Sequence, residues 1–338
     1  MRMRDALRAQ GRPARIEPAW VRPQWALPYA VLCAAGVAGS LLATSSPLAG
    51  LAVLVVVVVL LAGDASGRLM LLRLPLRRRA TQNVVSEPVI VPPGARVRLI
   101  VTAPLDAPRT GLAQLAAPFA ERLRGALGGR GPTPIGWLAL SLLALALLAA
   151  LRLAGADGDW IAPASLAPTV ALVVGTFAFA DLAFARPAAH ADATAVGLAL
   201  ALVAALDRDP PRHLAVECVL AGASEPGQLG LRAYVRARRR GARPEELAVL
   251  ALGGRPAPGG GAHHPGEGRA LPARLDPQLV AHARAVGLAP ARGRVTGALP
   301  ARLARWPALG VSPDPADPEA TLERLLALVR RLDGQLRR

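Results

Sequence analysis

Val216–Ala237 reads VECVLAGASEPGQLGLRAYVRA. With Leu214 and Ala215 before it, the first part is a nearly continuous apolar run, as expected of a strand covered on both faces. Gly222, Pro226 and Gly227 then punctuate the chain. From about Gly227 to Arg239 an amphipathic helix is predicted. Working outward, strands are predicted over Arg96–Thr102 (RVRLIVT), Leu214–Leu220, Leu247–Leu252 and Pro307–Val311. Helices are predicted over about Gly111–Leu127, Thr194–Leu206, Gln278–Val286 and Glu319–Leu332. The apolar run of Thr194–Leu206 is short for a membrane span. Residues 254–270, GRPAPGGGAHHPGEGRA, read as a Gly/Pro-rich loop. Strands alternating with amphipathic helices predict an α/β fold with a mostly parallel sheet between helices.

Four long apolar runs interrupt this pattern. Ala26–Ala43 and Leu48–Ala62 are joined by the uncharged loop SSPLAG, and no charged residue occurs between Arg22 and Asp64. Trp137–Leu153 and Pro163–Ala185 form a second pair. Each pair reads as a transmembrane hairpin. Trp137 and Trp160 stand near opposite ends of the third span, where indoles favour the interface. Asp181, near the end of the fourth, must reach headgroups or face protein.

Arginines set the expected topology. Arg2, Arg4, Arg8, Arg12, Arg15 and Arg22 precede the first span; Arg68, Arg73, Arg77, Arg78 and Arg79 follow the second; Arg122, Arg124 and Arg130 precede the third. The hairpin loops carry none, and the second holds Asp157 and Asp159. The positive-inside rule then puts the termini and the soluble pieces in the cytoplasm, on the inner face of the plasma membrane. Arg77–Arg79 are expected to meet anionic headgroups. The expected division is a basic N-terminus (1–25), hairpin one (26–63), a discontinuous α/β domain (83–130 and 187–338) and an inserted hairpin two (136–186). Two separate small soluble domains are the alternative.

All 40 basic residues are arginine and the net charge is +17. A coding bias toward Ala, Arg, Gly and Pro, together with the membrane-flanking clusters, accounts for this. No nucleic-acid partner is expected. Cys33 lies in an apolar run and Cys218 in a strand, so neither a disulfide framework nor a cysteine metal site is expected.

Four stretches, in order, resemble the M28 family of zinc aminopeptidases in a membrane-attached bacterial variety. They are QNVV (82–85) with RLIVTAPLDAPRTG (98–111), HADATAVGLALALVAAL (190–206), Val216–Ala237, and ELAVLALGG (246–254). The resemblance implies a three-layer α/β fold and two zinc ions, held by histidines and carboxylates, that activate a water, with a glutamate as general base. Carried over residue by residue, it puts the first histidine ligand at Pro104 and the bridging aspartate at Ala193, beside Asp192. It puts the general base at Ser224, one glutamate ligand at Glu225 and the next aspartate ligand at Gly253. Asp106 matches the aspartate that orients the first histidine, and no histidine follows His282 for the last ligand. Of these, Asp106 and Glu225 keep the family's chemistry. The expectation is a catalytically degenerate, peptidase-like membrane protein with a binding, scaffolding or regulatory role and no cofactor. Its expected partners are membrane lipid and a protein or peptide.

The competing reading is a zinc-dependent membrane peptidase with a displaced site built from His190, Asp192, Glu225 and a loop histidine, His263 or His264. Otherwise the two loop histidines read as solvated. Gly222-Ala223-Ser224-Glu225-Pro226 lacks the features of a serine-hydrolase nucleophile elbow. Arg232, Arg236 and Arg238–Arg240 read as a solvated helix end. Asp181 alone is poor material for a transport path.

Overall fold

The computed structural model describes residues 2–67, 69–107, 109, 111, 133–156, 158–186, 193–225, 227–254, 257–268, 273–291 and 297–336. Beyond Gly111, the helix expected over Gly111–Leu127 lies outside these residues, as do Arg68, Arg122, Arg124, Arg130, Asp157, His190 and Asp192.

The α/β domain is built on an eight-stranded sheet. Its strands are β1 (Ala14–Val21), β2 (Arg79–Ser86), β3 (Val97–Pro104), β4 (Leu214–Ala221), β5 (Leu247–Leu252), β6 (Ala262–His264), β9 (Ala289–Pro290) and β10 (Ala308–Ser312). A separate short ladder pairs β7 (Gly266–Glu267) with β8 (Ala273–Arg274). The sheet order is β1-β2-β4-β3-β5-β10-β6-β9. The four central strands, β4, β3, β5 and β10, are parallel. The β6–β9 pair is parallel too, whereas the β1–β2, β2–β4 and β10–β6 pairs are antiparallel, so the sheet is mixed, with its parallel block at the centre. The apolar runs of β4 and β5 are buried at every position, which requires cover on both faces. That cover comes from flanking helices: α6 (Thr194–Arg208), α7 (Leu229–Arg238), α8 (Pro277–Ala285), α9 (Leu299–Leu303) and α10 (Pro318–Gln335). Helix α6 packs on β3, β4 and β5 with α10 beside it, while α7 packs on β1, β2 and β4 with α9 beside it.

The N-terminal segment belongs to this domain. Helix α1 (Arg2–Ala9) buries Leu7 completely, and the following strand β1 pairs with β2 along its whole length. From sequence alone, residues 1–25 read as a basic segment ahead of the membrane. Strand β1, ARIEPAWV, hides its role because apolar and charged residues alternate only over Ala14–Glu17, after which Pro18-Ala19-Trp20-Val21 breaks the pattern. It lies at the sheet edge, where a proline such as Pro18 is tolerated.

Four helices among the described residues are long and apolar enough to cross a membrane: α2 (Ala26–Ser45), α3 (Pro47–Ala65), α4 (Pro134–Leu153) and α5 (Ile161–Phe184). The chain is a multi-pass membrane protein. Helix α2 packs on α3 and α5, and α4 closes the ring against the same two. Small residues permit close approach, as is usual where lipid supplies no hydrophobic drive between helices. A side chain at Gly50 would overlap the backbone of Ala43, and Ser40 and Thr169 hydroxyls bond at 2.7 Å between α2 and α5.

Each hairpin is an insertion in a connection between sheet strands. The first joins β1 to β2; the second lies between β3 and α6 on the way to β4. The end of β1, the start of β2 and the C-terminal ends of β3 and β4 fall at one end of the sheet by register. That end is turned toward the bundle.

Candidate functional site

The C-terminal ends of parallel strands are where open α/β sheets place their ligands, at the point where connections leave in opposite directions. Here the register aligns Pro104 of β3 with Ala221 of β4, and Val311 of β10 with Leu252 of β5. Of the positions nominated by the peptidase resemblance, Pro104 and Asp106, Ser224 and Glu225, and Gly253 stand at or just after the ends of β3, β4 and β5, while Ala193 stands at the start of α6.

The loop after β4 is tightly wound. Ala223, Gly227 and Gln228 all have positive φ (47°, 114° and 58°). The amides of Leu229 and Gly230 return to the carbonyls of Ala223 and Gly222, at 2.9 and 3.1 Å. Two glycines are required by this closeness. A Cβ on Gly230 would stand 2.1 Å from the Gly222 oxygen, and one on Gly222 would meet Thr81 and Gln82 of β2 at 2.5 and 2.6 Å. Buried Asn83 of β2 clamps both ends. Its amide nitrogen donates to the Gly230 carbonyl at 2.9 Å, and its oxygen accepts from the Gly222 amide at 3.1 Å.

Both surviving carboxylates are engaged by this loop. Asp106 accepts from the Ser224 backbone N–H and, at 3.2 Å, from the Ser224 hydroxyl. Burial raises its pKa, against the opposing pull of the Ser224, Ala223 and Glu225 amides. Glu225 Oε1 accepts from the Arg109 amide at 3.1 Å. Burial raises its pKa too, opposed by Arg109. Ser224 is buried with its hydroxyl on Asp106, and among the described residues no imidazole bonds to it, whereas an activated serine needs an adjacent base.

The remaining positions have no donor side chain. Pro104 ends β3, and Ala193 caps α6 without a side-chain bond. Gly253, with φ of 145°, donates its amide to the Val311 carbonyl at 3.0 Å and accepts at its oxygen from Ser312 Oγ at 3.1 Å. Among the described residues no three His, Cys, Asp or Glu side chains are grouped to hold a metal ion. The residues present do not fit the two-zinc centre that the family resemblance implies.

The loop histidines are not solvated, contrary to the sequence reading. His263 and His264 form β6, antiparallel to β10, and both are fully buried. His263 Nδ1 bonds to the Leu288 carbonyl at 2.9 Å, and burial lowers its pKa. His264 Nε2 bonds to Ser312 Oγ at 2.9 Å. Strand β6 is four places from β4 in the sheet, roughly 19 Å at the usual strand spacing, so these bonds hold the imidazoles away from Glu225.

The arginine-rich end of α7 is also less free than expected. Arg232 donates to the Gly227 carbonyl at 2.9 Å and to the Gly67 carbonyl, beyond α3, at 2.6 Å. Arg238 pairs with Glu17 of β1 at 2.6 Å and stacks on Tyr234, 3.9 Å from its ring centre. Arg109, which sequence reasoning passed over, joins the site to the second hairpin, because its Nη1 donates to the Ala183 carbonyl at 2.9 Å. The loop after β4 is thus tied to both hairpins. Asp181 is exposed on α5, with its carboxylate against Gly111.

No family model matches the chain, and no curated protein matches it.

Proposed function

We propose that this chain is a peptidase-like membrane protein of M28 type that has lost its metal chemistry and acts by binding or regulation. The observation that carries the reading is the use made of the two surviving carboxylates. At the sheet end where the resemblance needs a metal cluster, Asp106 and Glu225 accept hydrogen bonds from loop and strand-end amides. The neighbouring positions are Pro104, Ala193, Ser224 and Gly253. Each substitution removes a lone pair or a charge that hydrolysis would need, whereas the loop itself remains fully braced. A lone carboxylate pair used this way does not hold a catalytic zinc, which takes three protein ligands. Fold by itself does not carry chemistry from ancestor to descendant.

The arginine distribution supports a cytoplasmic location for the α/β domain, beneath a plasma membrane. The natural partner of the site end is then a lipid-proximal peptide or protein segment, since that end of the sheet adjoins the bundle.

The test is elemental analysis of the detergent-purified full chain after zinc equilibration and removal of excess, with a peptide-hydrolysis assay on the same sample. The expected result is substoichiometric zinc and no hydrolysis. One or two tightly held zinc ions with turnover, both lost in Glu225→Ala, would overturn the reading.

A further inference from the structure

Between the end of α3 and the start of β2 runs a short segment, Leu69–Arg78, LMLLRLPLRR. It is held firmly. Arg73 and Asp64 form a bidentate pair at 2.8 Å, both side chains almost wholly buried, which pins the short 3-10 turn Leu71–Arg73 onto the end of α3. The Leu69 amide donates to the Gly63 carbonyl at 3.1 Å, and Arg22 Nε donates to the Leu76 carbonyl at 3.1 Å. This segment is therefore not a loose tether whose apolar side chains could fold inward.

Held in this way, it turns large apolar side chains outward. Leu69, Leu71 and Leu74 are 58%, 50% and 57% exposed. Trp20 of β1 is 72% exposed as well. It pairs with Ala80, one step from the Val21–Arg79 pair where the strands meet the membrane connections. Arg77, Arg78 and Arg79 follow immediately and are exposed, with no acid paired to any of the three among the described residues.

We infer that Trp20, Leu69, Leu71 and Leu74 with Arg77–Arg79 form a collar that docks on anionic phospholipid at the bilayer surface. Two observations select that occupant. The collar is continuous with the spans: α3 ends at Ala65 and α2 begins at Ala26, so Leu69, Leu71 and Trp20 lie four to six residues from a span end, Leu74 nine, and the arginines twelve to fourteen. Its chemistry is graded as an interface is graded, with leucines and an indole for the acyl boundary and guanidinium groups for phosphate. Arginine suits the phosphodiester because its planar fork donates two parallel hydrogen bonds. The collar also abuts the candidate site, since Thr81 and Gln82, two and three residues beyond Arg79, are the residues against which Gly222 packs. The inference goes beyond the proposed loss of metal chemistry and stands without it.

The experiment uses the full chain in vesicles mixing phosphatidylglycerol and phosphatidylcholine in equal amounts, with one lipid or the other brominated in its acyl chains. Trp20 emission is taken as the difference between wild type and Trp20→Phe. Brominated phosphatidylglycerol is expected to quench that emission about twofold more than brominated phosphatidylcholine. The preference is expected to vanish in the Arg77→Gln/Arg78→Gln/Arg79→Gln variant and to persist in the corresponding triple lysine variant. The lysine variant separates loss of charge from loss of fold. Equal quenching by the two lipids in wild type, or a preference unchanged in the glutamine variant, would overturn the collar. Absence of quenching by either lipid would also overturn it and would assign this surface to a protein partner.

Discussion

Two groups of buried or half-buried carboxylates around the sheet are treated oppositely. At the site end, Asp106 and Glu225 accept from backbone amides, and burial raises the pKa of both. At the β1 side, acids meet guanidinium groups. Arg12, whose side chain is fully buried, donates to both Asp207 oxygens at 2.8 Å, to Ser86 Oγ at 3.0 Å and to the Val216 carbonyl at 2.6 Å. Glu17 is held by Arg238 and Arg15. Burial works to raise the Glu17 pKa, but the two arginines outweigh it and the net shift is downward. Arg98 and Tyr234 share Glu217 in the same way, at 3.3 and 2.6 Å. The difference teaches where the chain fastens itself. The β1 side uses neutralised charge to lock the N-terminus onto the sheet, while the site end keeps acids that charge reluctantly and serve as braces for one loop.

The largest break in this comparison is expected from Arg12→Met. It strands Asp207 and leaves the buried Val216 carbonyl without its donor, for a loss of about 3 kcal/mol. Chemical denaturation in detergent measures it, and an unchanged midpoint would mean that the β1–β2 ladder, the Glu17 pairs and apolar packing hold α1 and β1 without Arg12. Next in size is Asp106→Ala. The Ser224 amide and its neighbours lose their acceptor, at a cost of about 2 kcal/mol. Asp106→Asn keeps an acceptor without the charge, so it should cost less and serves as the control for the loop. The smallest effect is Glu17→Gln, below about 1 kcal/mol because the pair is partly solvated.

Acidification sharpens the contrast. For Asp106 and Glu225 the folded-state pKa lies above the ordinary carboxylate value. The folded state therefore binds protons more readily, and the penalty on their charged forms is relieved as pH falls through the raised values. For Glu17 the folded-state pKa lies below the ordinary value. Its stabilisation is present above the ordinary value and is lost as pH falls through the lowered one. Stability measured from neutral pH downward should therefore gain less in Asp106→Asn than in wild type and lose less in Glu17→Gln. Parallel curves for wild type and both variants would remove the distinction between the two regions.

Much of the fold is legible locally. The four spans are apolar over whole helix lengths, so they are read from composition alone. Strand β5 occupies the residues expected, and β3, β4, β10, α6 and α8 differ only at their ends, because continuous apolar runs bounded by turn residues leave little choice. Strand β1 was not legible, since edge strands tolerate charge and proline. His263 and His264 were misread because glycine and proline mark a loop, while the pairing that buries them is with β10, nearly fifty residues further on. At the site, Ser224 and Glu225 stand out in the sequence only through the family resemblance. Arg109 does not stand out, and Arg232 reads only as part of a solvated helix end, because backbone carbonyls accept their bonds and a carbonyl carries no sequence signal.

By itself the sequence determined the membrane spans, the alternation of strands and helices, and the absence of donor side chains at Pro104, Ala193 and Gly253. These follow from side-chain chemistry and local periodicity, which no distant contact can alter. Tertiary structure alone decided that both hairpins leave from one end of a mixed sheet and that the N-terminus supplies its edge strand. It also decided that Asp106 and Glu225 are spent on backbone amides. Each of these depends on pairing between residues far apart in the chain, where register and burial set the partner and the local sequence does not.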